Sequence, residues 1–201
     1  MTNYRSFQIE PADNARVLRL TSDDGTNRLT RACVLSLTAA VEQLRDEPTP
    51  LVIAGNPRFF SVGADLNEIA ALTGPEALEF SLAGQALMNT LASFPAMVIA
   101  GIEGHCMGGG LDLALACHRR VAGRHAVFGH RGATLGLITG WGGTQRLPLL
   151  VGKGLAMELF VAAEKITARR ALQIGLVDAV AADPVAESLR QAKLCSAEAV
   201  G

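Results

Sequence analysis

With 201 residues, 49% of them apolar and 18% charged, the chain has a globular composition and enough length to bury a real core in one domain. A formal net charge of -1, with no block of five or more Lys or Arg, removes the electrostatic basis for a nucleic-acid or membrane-surface partner. The longest apolar region, 95–117, is broken by Glu103, His105 and Asp112, so it does not read as a membrane span.

Phe7-Gln8-Ile9-Glu10 and 15–20 alternate apolar and polar residues, as a half-buried hairpin does. Residues 23–27 form a turn cluster, and 30–44 reads as a helix with Thr30 as N-cap and a Val34, Leu35, Leu37, Val41 and Leu44 stripe. Leu51-Val52-Ile53-Ala54 and Met97-Val98-Ile99-Ala100 are short continuous apolar runs, the pattern of strands buried on both faces. Between them, 60–66 is a loop entering a helix, and 75–91 is a longer helix with Pro75 in its first turn. Strands at 120–122 and 126–129 lead to the apolar run 135–138 and the glycine loop 139–143. Helices follow at 144–151, 155–161 and 168–174. Strands separated by helices argue for α/β units with mostly parallel pairing. No linker divides the chain, and 183–201 reads as one modest helix at most.

The N-terminus lacks a signal-like apolar region, and Cys33, Cys106, Cys117 and Cys195 lack metal spacing. Free thiols in a reducing cytoplasm is the plain reading, with Cys33 and Cys117 packing as small hydrophobes. No histidine pair has metal-ligand spacing with a third ligand, so no metal is expected. The serine-hydrolase elbow and the nucleotide-binding glycine motifs are absent as well.

The segment Gly108-Gly109-Gly110-Leu111-Asp112 carries the chemistry. Consecutive glycines let backbone N–H groups approach a ligand, and the helix that follows adds its positive end, which together hold a negatively charged oxygen. Asp112 falls in the first turn of that helix, where an acid either complements the dipole or moves a proton. Asp65, after Gly63-Ala64, reads as a helix cap. His105 and His130 lie beside glycines where proton transfer is open to them, whereas His118 and His125 read as solvated strand edges. Trp141, the sole tryptophan, either fills core or walls a pocket.

Three ordered segments together resemble the crotonase (enoyl-CoA hydratase/isomerase) superfamily. They are 51–66, with Phe60-Ser61-Val62-Gly63-Ala64-Asp65-Leu66; 98–117, with the triple glycine; and 128–148, with Gly142-Gly143-Thr144-Gln145-Arg146-Leu147-Pro148. The stretch 168–178 is similar to the family's last core element. The resemblance implies an α/β fold, a spiral of ββα units, with a core over 1–180 and a short tail over 181–201. It further implies an acyl-CoA thioester as substrate and partner, coenzyme A entering as part of that substrate and no separate cofactor. The N–H groups of Ala64 and Gly109 would form an oxyanion hole for the thioester oxygen. Val62, Gly63, Asp65 and Gly108 would flank the ligand, and Arg58 would approach a CoA phosphate.

Hydratases of the family carry two glutamates. The first position here is Asp112 and the second falls on Gly132, which has no side chain; a further acidic position of some relatives falls near Gly140. Two carboxylates ordinarily position one water and shuttle its proton, so loss of one removes much of that rate. Asp112 is then the expected acid/base, with His130 as the substitute beside the vacant position and Trp141 lining the pocket. The alternatives are an acyl-CoA binder or assembly subunit with impaired catalysis, and a crotonase-type decarboxylase in which Arg131 holds a substrate carboxylate. By resemblance the chain would form a homo-oligomer, a trimer or a hexamer. Family members generally continue into helices over the acyl pocket, so a neighbouring subunit or partner is expected to cover it, or the site is open.

Overall fold

The computed structural model describes residues 1–198, with side chains through 195; residues 199–201 of the expected tail lie outside the described residues. The hairpin forms as the alternation predicts: Phe7–Ala12 and Ala15–Leu20 pair antiparallel, with Phe7, Ile9, Val17, Leu18 and Leu20 turned inward. The helix Arg31–Leu44 starts where expected, and the Thr30 hydroxyl accepts from the Cys33 N–H.

The path that follows is one unit used three times. Leu51–Ala54, Val98–Ile102 and Arg119–Gly123 lie side by side and parallel in a seven-stranded sheet. Each is followed within a few residues by a second strand, Phe59–Ser61, His105–Met107 and Val127–Gly129 respectively. These second strands lie parallel in a four-stranded sheet in the same order. A helical segment closes each unit: Leu66–Ala71 with Gly74–Ala92, then Gly109–Ala116, then a 3-10 turn Gly132–Leu135 with Gly143–Val151. Strand, strand, helix, repeated and stacked, is the ββα spiral the resemblance implied. Such stacking buries the central strands on both faces, which is why their sequences are continuous apolar runs rather than alternating ones.

One sheet face, with Leu18, Leu20, Leu51, Ile53, Val98, Ala100 and Ile102, packs on the helices of the main core. The other, with Val17, Val52, Ala54, Ile99 and Val121, is covered by the helix Pro184–Glu198 through Val185, Leu189 and Ala192. That last helix matters more to the core than the sequence pattern suggests, because only Val185, Leu189 and Ala192 mark its apolar side. It approaches closely enough that a Cβ on Gly101 would lie 3.3 Å from the Ser188 hydroxyl and the Val185 Cα.

The Leu135-Gly136-Leu137-Ile138 run, apolar in sequence, is exposed: a 3-10 turn ending in a left-handed Gly136 carries it out of the core, leaving Ile138 70% exposed. No helix among the described residues is long and apolar enough to cross a membrane.

Candidate active site

A cavity of about 1200 Å³ is lined by residues of all three units. Its floor is the triple-glycine turn. Gly108 takes φ 52°, ψ -123°, a conformation that favours glycine, and the helix Gly109–Ala116 begins at the next residue. The Gly109 N–H is thus a first-turn group with no acceptor within the helix. Against it runs the Val62-Gly63-Ala64 segment. A Cβ on Gly63 would lie 2.7 Å from the Gly109 N, and one on Gly109 would lie 3.3 Å from the Ala64 N. The backbones that carry these two amides are therefore in direct contact. Two residues with no role in the sequence reading fix this contact. Buried Ser61 donates from its hydroxyl to Asn27 O at 2.7 Å and accepts from the Gly63 N–H at 3.1 Å, while the Asn27 amide donates to the Phe59 and Phe60 carbonyls. Asn27 lies in the 23–27 turn cluster and Ser61 in the 60–66 segment, and neither pattern singles its side chain out.

Asp112 sits in the first turn of that helix and is 1% exposed. One carboxyl oxygen, Oδ2, accepts from the Thr139 hydroxyl. The other, Oδ1, faces His130 Nε2 at 3.4 Å, longer than an ordinary hydrogen bond, and neither atom has a closer partner among the described residues. His130 is 5% exposed, and its ring packs at 5.1 Å against Phe160. Burial drives both groups towards their neutral forms. Asp112 rises from 3.8 to about 7, held back by the Thr139 hydrogen bond and the Arg146 charge. His130 falls from 6.5 to about 4 through loss of water.

The remaining expected residues divide. Val62, Ala64, Gly108, Gly109, Gly132 and Trp141 line the cavity with Asp112 and His130. Trp141 fulfils both of its readings: it is 5% exposed, meets Phe80 edge-on at 5.2 Å and 83°, and forms cavity wall beside Gly109. Arg58, Gly63 and Asp65 do not reach the wall. Arg58 is exposed over the Phe59 ring, Gly63 is buried behind it, and Asp65 caps Leu66–Ala71 by accepting from the Asn67 and Glu68 N–H groups. Gly132 closes its own tight turn, and a Cβ there would lie 2.6 Å from Leu137 O. A side chain at 132 therefore requires the 132–137 loop to move. Of the remaining histidines, His105 lines the cavity, and exposed His118 accepts the Val98 N–H at its Nδ1. Among the described residues no cluster of three His, Cys, Asp or Glu is placed to hold a metal.

Thr139, which lines the cavity and bonds Asp112, is a residue that sequence reasoning passed over. It was visible only as the first residue of a glycine loop, 27 positions from Asp112.

An apolar cavity with the Ala64 and Gly109 backbones meeting in its lining and one buried acid beside them suits chemistry at a carbonyl that gains negative charge. The enoyl-CoA hydratase/isomerase family model matches residues 12–199. A probable enoyl-CoA hydratase of Bacillus subtilis is 41% identical over 177 residues, 86% of this chain and 67% of that protein. A crotonyl-CoA hydratase of Syntrophomonas wolfei is 36% identical over 180 residues, 88% of this chain and 69% of that protein. The crystal structure of an enoyl-CoA hydratase from Bacillus anthracis superposes with a TM-score of 0.87 at 31% identity, covering 96% of this chain and 76% of that one. With the ββα spiral, the glycine floor and these matches together, the chain belongs to the enoyl-CoA hydratase/isomerase family.

Proposed function

We propose that this chain binds an acyl-CoA thioester and moves a proton at the carbon next to its carbonyl, as an enoyl-CoA hydratase/isomerase-like enzyme. The Ala64 and Gly109 N–H groups hold the thioester oxygen. Asp112 Oδ1 takes the proton from the α-carbon, the C–H electron pair moves into the carbonyl, and the oxygen becomes an enolate oxygen between the two amides. Each such donor is worth ~3 kcal/mol or more where charge develops away from water. The enolate is then reprotonated by Asp112, at the carbon from which the proton came or, in an unsaturated chain, two carbons further on. His130, a neutral imidazole against the same carboxyl, is the second group able to accept or return a proton, and the one able to orient a water for addition.

The observation that carries this reading is the buried, mutually facing and otherwise unpartnered Asp112 Oδ1 and His130 Nε2 on one wall with the Gly109 amide. A carboxyl whose pKa is raised to about 7 serves as base and acid alike near neutrality. Gly132 supports a second reading, an acyl-CoA binder without turnover, because the wall there offers no second carboxylate.

Incubating the protein with butyryl-CoA in D2O separates the two. Deuterium appearing at the α-carbon, and absent with Asp112→Asn, is the expected result. Binding of butyryl-CoA with no exchange at any pH supports the binder, and no binding at all refutes both.

A further inference from the structure

We propose that Thr139 is a positioning residue for Asp112, holding one carboxyl oxygen so that the other is the one presented to substrate. The inference rests on the proton-transfer reading above and adds the group that makes one carboxylate sufficient. A carboxyl in the first turn of a helix turns about its last bond, and its two oxygens are chemically equal until something distinguishes them. Here the Thr139 hydroxyl bonds Oδ2, which leaves Oδ1 facing His130, a residue of the cavity lining. Gly143 leaves the room that this placement needs: a Cβ at that position would fall onto Oδ1 and come within 2.9 Å of the Thr139 Cγ2 methyl.

Thr139 is itself held. Its neighbour Gly140 presents a carbonyl that accepts from Ser81 at 3.0 Å and from Gln85 at 2.8 Å, both on the helix Gly74–Ala92. The hydroxyl therefore comes from a loop anchored to a long helix, the arrangement required of a group that orients another. The other ionisable groups around Asp112 do not do this. His130 faces the oxygen offered to substrate, and Arg146 directs its guanidinium to Trp141 O and Asn89 Oδ1. The Cys106 thiol, from the strand behind, contacts Gly110 O.

The test uses Thr139→Val, which keeps the shape and removes the donor, and Thr139→Ser, which keeps the donor. Two readouts are followed: titration of the Asp112 carboxyl by 13C NMR, and α-proton exchange of butyryl-CoA in D2O across pH. With Thr139→Val the Asp112 titration moves to higher pH, because a hydrogen bond that favours the ionised form is gone. The kcat for exchange falls about tenfold or more with KM unchanged within about twofold, the signature of misplacement rather than lost binding. Thr139→Ser restores both. If Thr139→Val does not fold, Thr139→Ala carries the same measurements. An Asp112 titration that is the same with and without the hydroxyl overturns the proposal, as does a loss of kcat that serine leaves unrestored. Wild-type protein that exchanges no α-proton refutes the enzymatic reading instead, and the titration then decides the role of Thr139 alone.

Discussion

Asp112 and His130 are two buried titratable groups that face each other, and burial moves their proton affinities in opposite directions on the pH scale. Asp112 has a folded pKa of about 7 against an ordinary 3.8. Between those values the folded protein holds a proton that the unfolded chain has released, so stability falls as pH rises through the window. His130 runs the other way. Its folded value is about 4 against 6.5, so across that window the unfolded chain holds the extra proton and stability rises with pH. Over most of pH 4 to 6.5 the two slopes oppose each other. Single substitutions therefore expose them. Each pH unit between the folded and unfolded values of one group is worth about 1.4 kcal/mol. His130→Gln is expected to lose roughly 3–4 kcal/mol of stability between pH 4 and 7, whereas Asp112→Asn gains stability between pH 4 and 6.5. Urea unfolding of both variants and the wild type at several pH values checks this, and three parallel curves would refute the opposed pair. In turnover, Asp112→Asn is expected to lower α-proton exchange ~100-fold or more, and wild-type exchange to rise with pH through about 7 as the base ionises. At this scale the sequence was half legible. Asp112 stood out because three glycines and a helix start fix its place. Thr139 did not, because no local pattern tells a loop hydroxyl which carboxylate 27 positions away it will meet.

Between residues and the whole molecule, the decisive object is the wedge that Trp141 forms between two helices. Its indole sits against Gly109 at the start of one helix and Gly84 in the middle of another, and a Cβ built on either glycine would fall onto the ring. Phe80 completes the seat from the Gly84 side. Alanine at 84 is the better helix former by roughly 1 kcal/mol, but the added carbon meets an aromatic ring with little room to retreat. The overpacking cost of ~1–3 kcal/mol outweighs the gain in propensity, so Gly84→Ala is expected to destabilise by up to a net ~2 kcal/mol. It should also shift the emission of the sole tryptophan, which reports directly on the wedge. A higher urea midpoint with unchanged fluorescence would show that the seat has slack. The elements that form the wedge were readable in outline. The Thr30 cap and the Pro75 start gave helix positions within a residue or so, and period-2 alternation gave the hairpin. What was not readable is that 135–138, as apolar as any strand, leaves the core. Periodicity reports apolar content, and only the left-handed Gly136 and the tight 132–137 turn decide where that content points.

Across the whole molecule, the seven-stranded sheet separates two jobs. Its inner face carries the helix that presents Gly109 and Asp112, and the helix Gly74–Ala92 against which Trp141 also wedges. Its outer face rests on the helix Pro184–Glu198, with Leu189 packed against both outer clusters. The strands are buried on both sides only because that helix is present, so scaffold stability and site geometry are set on opposite faces. A charge placed under the helix should then weaken the first without touching the second. Leu189→Asp puts a carboxylate against the apolar side chains of Ile99, Val121, Val17 and Val52. Burying such a group without a partner costs several kcal/mol unless it takes up a proton, so the penalty is expected to be ~2–4 kcal/mol at neutral pH and smaller in acid. The folded fraction should retain the wild-type KM for butyryl-CoA and the wild-type exchange rate per folded molecule, because none of the cavity's lining residues belongs to that face. Urea unfolding at two pH values, paired with exchange measured well below the unfolding transition, tests both halves. A variant that stays stable but loses exchange would mean that the sheet transmits strain from its outer face to the glycine floor.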